Sequence, residues 1–116
     1  MAKFLNFFPR QVYMGDGAGS STVFSPIFDV SDVESITWET RVYAESVTTL
    51  TGKVTLQDSD DPSETFNAMA AGTLNITGGP ALYTGSVGTP KRFLRAKLEV
   101  TQGGFIQLNF VGRGFC

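Results

Sequence analysis

The sequence predicts an all-β protein, an antiparallel, jelly-roll-like β-sandwich of six to eight short strands. Three observations predict it. Apolar and polar residues alternate with a period of two in four separate stretches. Turn-forming residues recur at short intervals between those stretches. Strand-favouring Thr, Val, Ile, Tyr and Phe are abundant, with 10 Phe among 116 residues.

The elements follow in chain order. Phe4, Leu5, Phe7, Phe8, Tyr13 and Met14 crowd into the first 14 residues, ahead of a Gly-rich stretch at 15–21. They read as a first strand packed on the chain's own sandwich or as an arm that buries its Phe residues on a neighbouring subunit. Apolar segments more often serve their own core, but a Gly-rich hinge lets such a segment swing away. Residues 1–20 are therefore set apart as strand or arm, and residues 21–116 form the sandwich domain. In residues 33–44, Ile36, Trp38 and Val42 share one face, with Thr37, Glu39 and Arg41 on the other. Trp38 is expected in the core with its N–H satisfied. In residues 53–57, Val54 and Leu56 point inward and Lys53, Thr55 and Gln57 outward. An acidic turn follows at Asp58-Ser59-Asp60-Asp61-Pro62. Residues 64–71 are the one stretch that could form a helical turn, with too few periodic positions for a longer helix. Breaks at 78–80 and 103–104 bracket the clearest strand, where Leu94, Ala96, Leu98 and Val100 alternate with Arg95, Lys97 and Glu99. A last strand places Ile106, Leu108 and Phe110 together.

Composition bounds the function. The chain fits one domain, and 41% hydrophobic residues supply a core. Charged residues are 17%, below the usual roughly 25%. Nine basic and 11 acidic residues leave a net charge of −2, which gives no electrostatic footprint for nucleic acid. The cluster Lys91, Arg92, Arg95 and Lys97 reads as a solvated strand face. The single Cys, Cys116, permits no intrachain disulfide. No stretch approaches the roughly 20 apolar residues of a membrane helix, and the N-terminus is too short and too broken by Asn6 for a secretory signal. A soluble protein made in a cytoplasm, with no membrane partner, is expected.

The side-chain inventory argues against catalysis. There is no His, which removes Ser-His-Asp and Cys-His constellations and His-ligated zinc. One Cys cannot build a thiolate metal site. No phosphate-binding Gly motif sits between a strand and a helix. Asp58, Asp60 and Asp61 could hold Ca²⁺, but the EF-hand pattern lacks its Gly and its closing Glu, and a polar hairpin turn explains them better. No catalytic residue, cofactor or metal is expected.

Residues 54–61, Val-Thr-Leu-Gln-Asp-Ser-Asp-Asp, form a strand and hairpin similar to those of many small bacteriophage β-sandwich proteins. About thirty residues later comes Lys91-Arg92-Phe93-Leu94-Arg95-Ala96-Lys97-Leu98, which resembles their Lys-Arg-Tyr-Leu-Arg-Val strand, then a Gly-rich turn and a final alternating strand. The resemblance covers residues 33–112 and departs at Pro62, where Gly is common, and at Phe66, where Trp is common. The pattern is shared by decoration (cement) proteins, head-fibre bases and tail components of tailed phages. It implies a virion structural role, with the major capsid protein or other virion proteins as partners, and no catalytic residues. A homo-oligomer, a trimer first, suits such a role. Phe4, Leu5, Phe7, Phe8, Tyr13 and Met14 are the expected subunit or capsid contacts, and under the arm reading deletion of residues 1–19 leaves a folded domain. The alternative is a carbohydrate-binding sandwich, free or within a tail or fibre, which calls for an exposed aromatic pair or a Ca²⁺ site.

Overall fold

The computed structural model describes residues 2–14, 21–45, 52–63, 65–76, 81–100 and 105–115. These residues form nine strands and no helix: β1 (Ala2–Met14), β2 (Ser21–Phe24), β3 (Phe28–Asp29), β4 (Ser35–Glu45), β5 (Gly52–Ser59), β6 (Asn67–Ile76), β7 (Ala81–Val87), β8 (Phe93–Val100) and β9 (Phe105–Phe115). The first sheet runs β1-β9-β4-β7. The second runs β2-β8-β5-β6, with β3 also beside β8. Every pairing is antiparallel. The pairs nest, β5 with β6, β4 with β7, β2 and β3 with β8, β1 with β9. The chain is thus one long hairpin wrapped into two stacked layers, the jelly-roll arrangement.

Nine strands replace the expected six to eight because the partner of β8 is interrupted at Pro26, which lacks the N–H a ladder needs. Ser25 carries the pairing into the break. Its N–H donates to the Ala96 carbonyl at 2.9 Å, and its hydroxyl accepts from the Ala96 N–H at 2.8 Å.

The alternating faces lie as the sequence places them. Ile36, Trp38 and Val42, Val54 and Leu56, the even residues of β8, and Ile106, Leu108 and Phe110 are all buried between the sheets. Thr40, a polar residue in that layer, donates its hydroxyl to the Asn109 carbonyl at 2.6 Å. Trp38 stacks on Phe110 at 5.6 Å between centroids. Its Nε1 has no hydrogen-bond partner among the described residues, contrary to expectation. The indole is held instead by packing, against Phe110 on one side and over Gly85 on the other.

One expectation is corrected. Residues 67–71 are strand, not helical turn, because Asn67–Ile76 pairs with β5 and tertiary pairing overrides the local preference of its alanines. Of the two readings of the N-terminal segment, residues 2–14 follow the first, a strand packed on the chain's own sandwich. β1 pairs with β9 along its length, with irregularities between Asn6 and Phe8 and between Phe8 and Gln11. Such bulges break the period-two alternation, so adjacent Phe7 and Phe8 are both buried, together with Leu5 and Tyr13. The Tyr13 hydroxyl donates to the Pro9 carbonyl at 3.0 Å and closes the bulge. Burial pushes that phenol's pKa up, offset in part by a hydrogen bond with Gln11. The hinge expected at 15–20, the breaks at 78–80 and 103–104, and Cys116 lie outside the described residues.

The β5–β6 register slips between Thr55 and Gln57. On the β6 side of that slip Ala71 adopts a left-handed backbone with φ of 60°, a conformation that costs an L-residue roughly 1–2 kcal/mol and glycine almost nothing. Ala71→Gly is therefore expected to raise the thermal midpoint, by up to about 1 kcal/mol of stability once glycine's unfolded-state entropy is subtracted. Calorimetry of the two proteins checks it.

Candidate functional site: the outer face of the first sheet

Residues that alternate with the core positions of β1, β9, β4 and β7 point away from the sandwich. The registers align them in rows. Phe4 lies opposite Arg113, which lies opposite Thr37, which lies opposite Ser86; Asn6, Val111, Glu39 and Thr84 form the next row. Phe4 is 65% exposed and Phe115 43%. Phe115 sits diagonally from Phe4 across the β1–β9 pair, a separation at which large side chains still meet. Thr37, Glu39, Thr84, Val111, Arg113 and Phe4 line a shallow groove of about 200 Å³, floored by Trp38 and Gly112. Further along the face Leu82 is 50% exposed, next to Arg41 in the register. Arg10 reaches across β9 to lie over the Tyr43 ring, 3.9 Å from its centroid. Arg113, Arg41 and Glu39 have no ion pair among the described residues. The face thus mixes exposed aromatic and aliphatic side chains with uncommitted charges. Interfaces are enriched in aromatic residues and Arg, and isolated surface apolar residues are not.

Of the six contact residues expected from the sequence, Phe4 alone is placed on this face. Leu5, Phe7, Phe8 and Tyr13 are corrected: all four are at most 5% exposed, so they hold the sandwich and cannot touch a partner. Met14 is in β1, with its side chain outside the described residues. Sequence reasoning missed Phe115, Leu82, Val111 and Arg113. The outward position of Val111, Arg113 and Phe115 was implicit in the alternation of β9, but which residues join Phe4, Leu82 of β7 included, depends on strand order.

The second sheet's outer face carries a different feature. The Arg95 guanidinium lies between the Phe24 ring at 4.2 Å and the Phe66 ring at 4.4 Å, and its Nε donates to Gln57 Oε1 at 2.9 Å. This stack ties β2 to the segment before β6 across the face, a cation–π contact on each side. The basic cluster is therefore partly neutralised in place: Arg92 pairs with Asp29 at 3.5 Å and Lys97 with Glu99 at 3.6 Å.

The acidic turn does not converge on a point. Asp58 is nearly buried and accepts the Lys91 N–H at 2.9 Å. Asp61 accepts from the Ser63 N–H at 2.9 Å and the Ser63 hydroxyl at 2.8 Å, and these bonds hold its pKa below the usual carboxylate value. Among the described residues no three His, Cys, Asp or Glu could hold a metal ion together. No helix among the described residues is long and apolar enough to cross a membrane.

No protein-family model matches the chain, and no curated protein matches it in sequence. Solved structures do match. The PBSX exported protein XepA superimposes with a TM-score of 0.70 at 13% identity, over 98% of this chain and 36% of that one. A chain of infectious bursal disease virus, Gx strain, does so with a TM-score of 0.61 at 14% identity, over 98% and 32%. The C-terminal CBM6 of the laminarinase LamC from Zobellia galactanivorans gives 0.53 at 15% identity, over 99% and 100%. The likeness is one of fold. This chain spans about a third of the length of the XepA and virus chains.

Proposed function

We propose that this protein is a non-enzymatic virion structural protein, a capsid decoration (cement) protein that binds the outer shell of a tailed-phage head as a homo-oligomer and stabilises it. Its partners are the major capsid protein or neighbouring virion proteins, and it resides on the capsid surface after synthesis in the host cytoplasm. The observation that carries the reading is the outer face of the β1-β9-β4-β7 sheet, where Phe4 stands 65% exposed beside Arg113 and Phe115. A cement protein acts by adding buried area across shell subunits, and a rigid sandwich with an aromatic and Arg-bearing face provides that without chemistry. The phage-like strand pattern in residues 33–112 and the shared fold of XepA and the virus chain support it.

Phe4→Glu tests it. The side chain is solvent-exposed, so stability should change by no more than about 0.5 kcal/mol. Loss of an interface hot spot worth about 2 kcal/mol should weaken co-sedimentation with shells of the cognate major capsid protein about thirtyfold. Unchanged shell binding overturns the assignment of this face. A major capsid or portal gene beside this protein's own gene would support the virion role independently.

A second reading is favoured by one observation. Phe4 and Phe115 are two exposed aromatic residues at diagonal positions of the β1–β9 pair, as a carbohydrate-binding sandwich needs, on a fold shared with the CBM6. Since Asp58 and Asp61 are committed to backbone and Ser63 donors, glycan-array binding should then persist in EDTA. No signal in either condition dismisses it.

A further inference from the structure

A sandwich of two open sheets has four edges, and unpaired backbone on an edge invites another strand. Three of the four are blunted here. β1 carries Pro9 and two register irregularities. β2 has four residues and runs into Pro26. β6 carries the register slip and left-handed Ala71. β7 is different. It pairs with β4 over all seven residues, Ala-Leu-Tyr-Thr-Gly-Ser-Val, without a slip, a proline or a charge. No described strand pairs with its other side. Leu82, Thr84 and Ser86 are exposed along it.

We propose that β7 pairs antiparallel with β7 of a second copy of this chain, across a two-fold axis at Thr84, joining two four-stranded sheets into one of eight. The strand itself argues for this occupant. With the other described edges blunted, β7 is the one regular unprotected edge that a second copy offers among the described strands, and like edges meet through a two-fold. In that register Thr84 faces Thr84, a favourable cross-strand pair, and Leu82 faces Ser86, so no like charges stand opposite each other. The nearest acidic residues, the two Glu39 side chains, are three strand spacings apart, about 14 Å, beyond the Debye length in physiological salt. On the inner side Tyr83 of one copy meets Gly85 of the other, an aromatic-over-glycine pairing. The proposal replaces the trimer with a two-fold dimer. It rests on the proposed self-association and not on capsid binding.

Analytical ultracentrifugation of the full chain across the micromolar range tests it, with Thr84→Lys and Thr84→Glu as variants. Thr84 is exposed, so both should keep the wild-type circular dichroism; Thr84→Lys should keep the thermal midpoint, and Thr84→Glu, which lies opposite Glu39, should melt slightly lower while still folded. Wild type is expected to be a concentration-dependent dimer. Each variant alone should be monomeric, because it sets like charges face to face at the axis. An equimolar mixture should dimerise again. A wild type that is monomeric throughout or trimeric, variants that dimerise as well as wild type, or a mixture that stays monomeric would each overturn the β7 axis. Shell binding and sedimentation of Phe4→Glu, measured in parallel, report on the capsid role through a residue of β1, the edge strand of the first sheet that takes no part in the β7 pairing.

Discussion

Removal of residues 1–14 is expected to abolish folding. Had this segment been an arm, its deletion would leave a domain intact and remove only its contacts. Instead it supplies Leu5, Phe7, Phe8 and Tyr13 to the core. Phe7 makes edge-to-face contacts with Phe28 at 5.4 Å and Phe110 at 5.1 Å, and Phe8 does so with Tyr13 and Phe110. Truncating one such side chain to Ala costs about 2–5 kcal/mol. Four together, with the β1–β9 ladder, exceed the roughly 5–15 kcal/mol that separates folded from unfolded in a domain of this kind. The deletion would also bare β9, with Ile106, Leu108 and Phe110, as a new apolar edge prone to aggregation. The measurement is the loss of a cooperative thermal transition and of near-ultraviolet circular dichroism. A truncated protein that melts cooperatively would return the segment to the arm reading. Phe7→Ala alone should cost about 3–5 kcal/mol, whereas Phe4→Ala, one face over, should cost almost nothing.

That contrast marks where the sequence was legible. The alternation of Leu94, Ala96, Leu98 and Val100, and of Ile106, Leu108 and Phe110, assigned core faces correctly because one side of each strand packs and the other meets solvent. β1 resisted because two bulges put Phe7 and Phe8 on the same side, and a bulge leaves no mark on composition beyond Pro9. The segment at 64–71 misled because its alanines favour a helix locally while Asn67–Ile76 pairs with β5 as strand on both sides of a register slip. The Arg95 stack and the nearness of Phe4 and Phe115 in the register were illegible for a shared reason. Each joins residues distant in the chain through strand order, and periodicity gives a face without its neighbours. The candidate interaction face was therefore half visible: Phe4 could be named, Arg113 and Leu82 could not.

Gly85→Ala is expected to be the most damaging single-methyl addition among the described glycines. A Cβ built at Gly85 would lie 2.3 Å from Trp38 Cζ2 and 2.7 Å from Cε2, inside any tolerable contact. The indole cannot withdraw, since Phe110 stacks on it with an interplanar angle of 21° and Phe110 in turn bears on Phe7 and Phe8. Overpacking a filled core costs about 1–3 kcal/mol, and more where the neighbours are locked. The upper end, about 3 kcal/mol, is expected here from chemical denaturation. At Gly112 the nearest atom is Phe7 Cε2 at 2.9 Å, and at Gly114 it is Val33 Cγ2 at 2.9 Å, so Ala at either should cost less. The mechanism is separable from a loss of backbone freedom, because no left-handed conformation is involved at Gly85. Trp38→Phe removes the ring atoms that collide. In the double variant Trp38→Phe/Gly85→Ala the alanine should therefore cost under about 1 kcal/mol, a coupling of roughly 2 kcal/mol across the β4–β7 pair. Equal costs of the alanine in both backgrounds would mean that the close approach of Trp38 is not what selects glycine at this position.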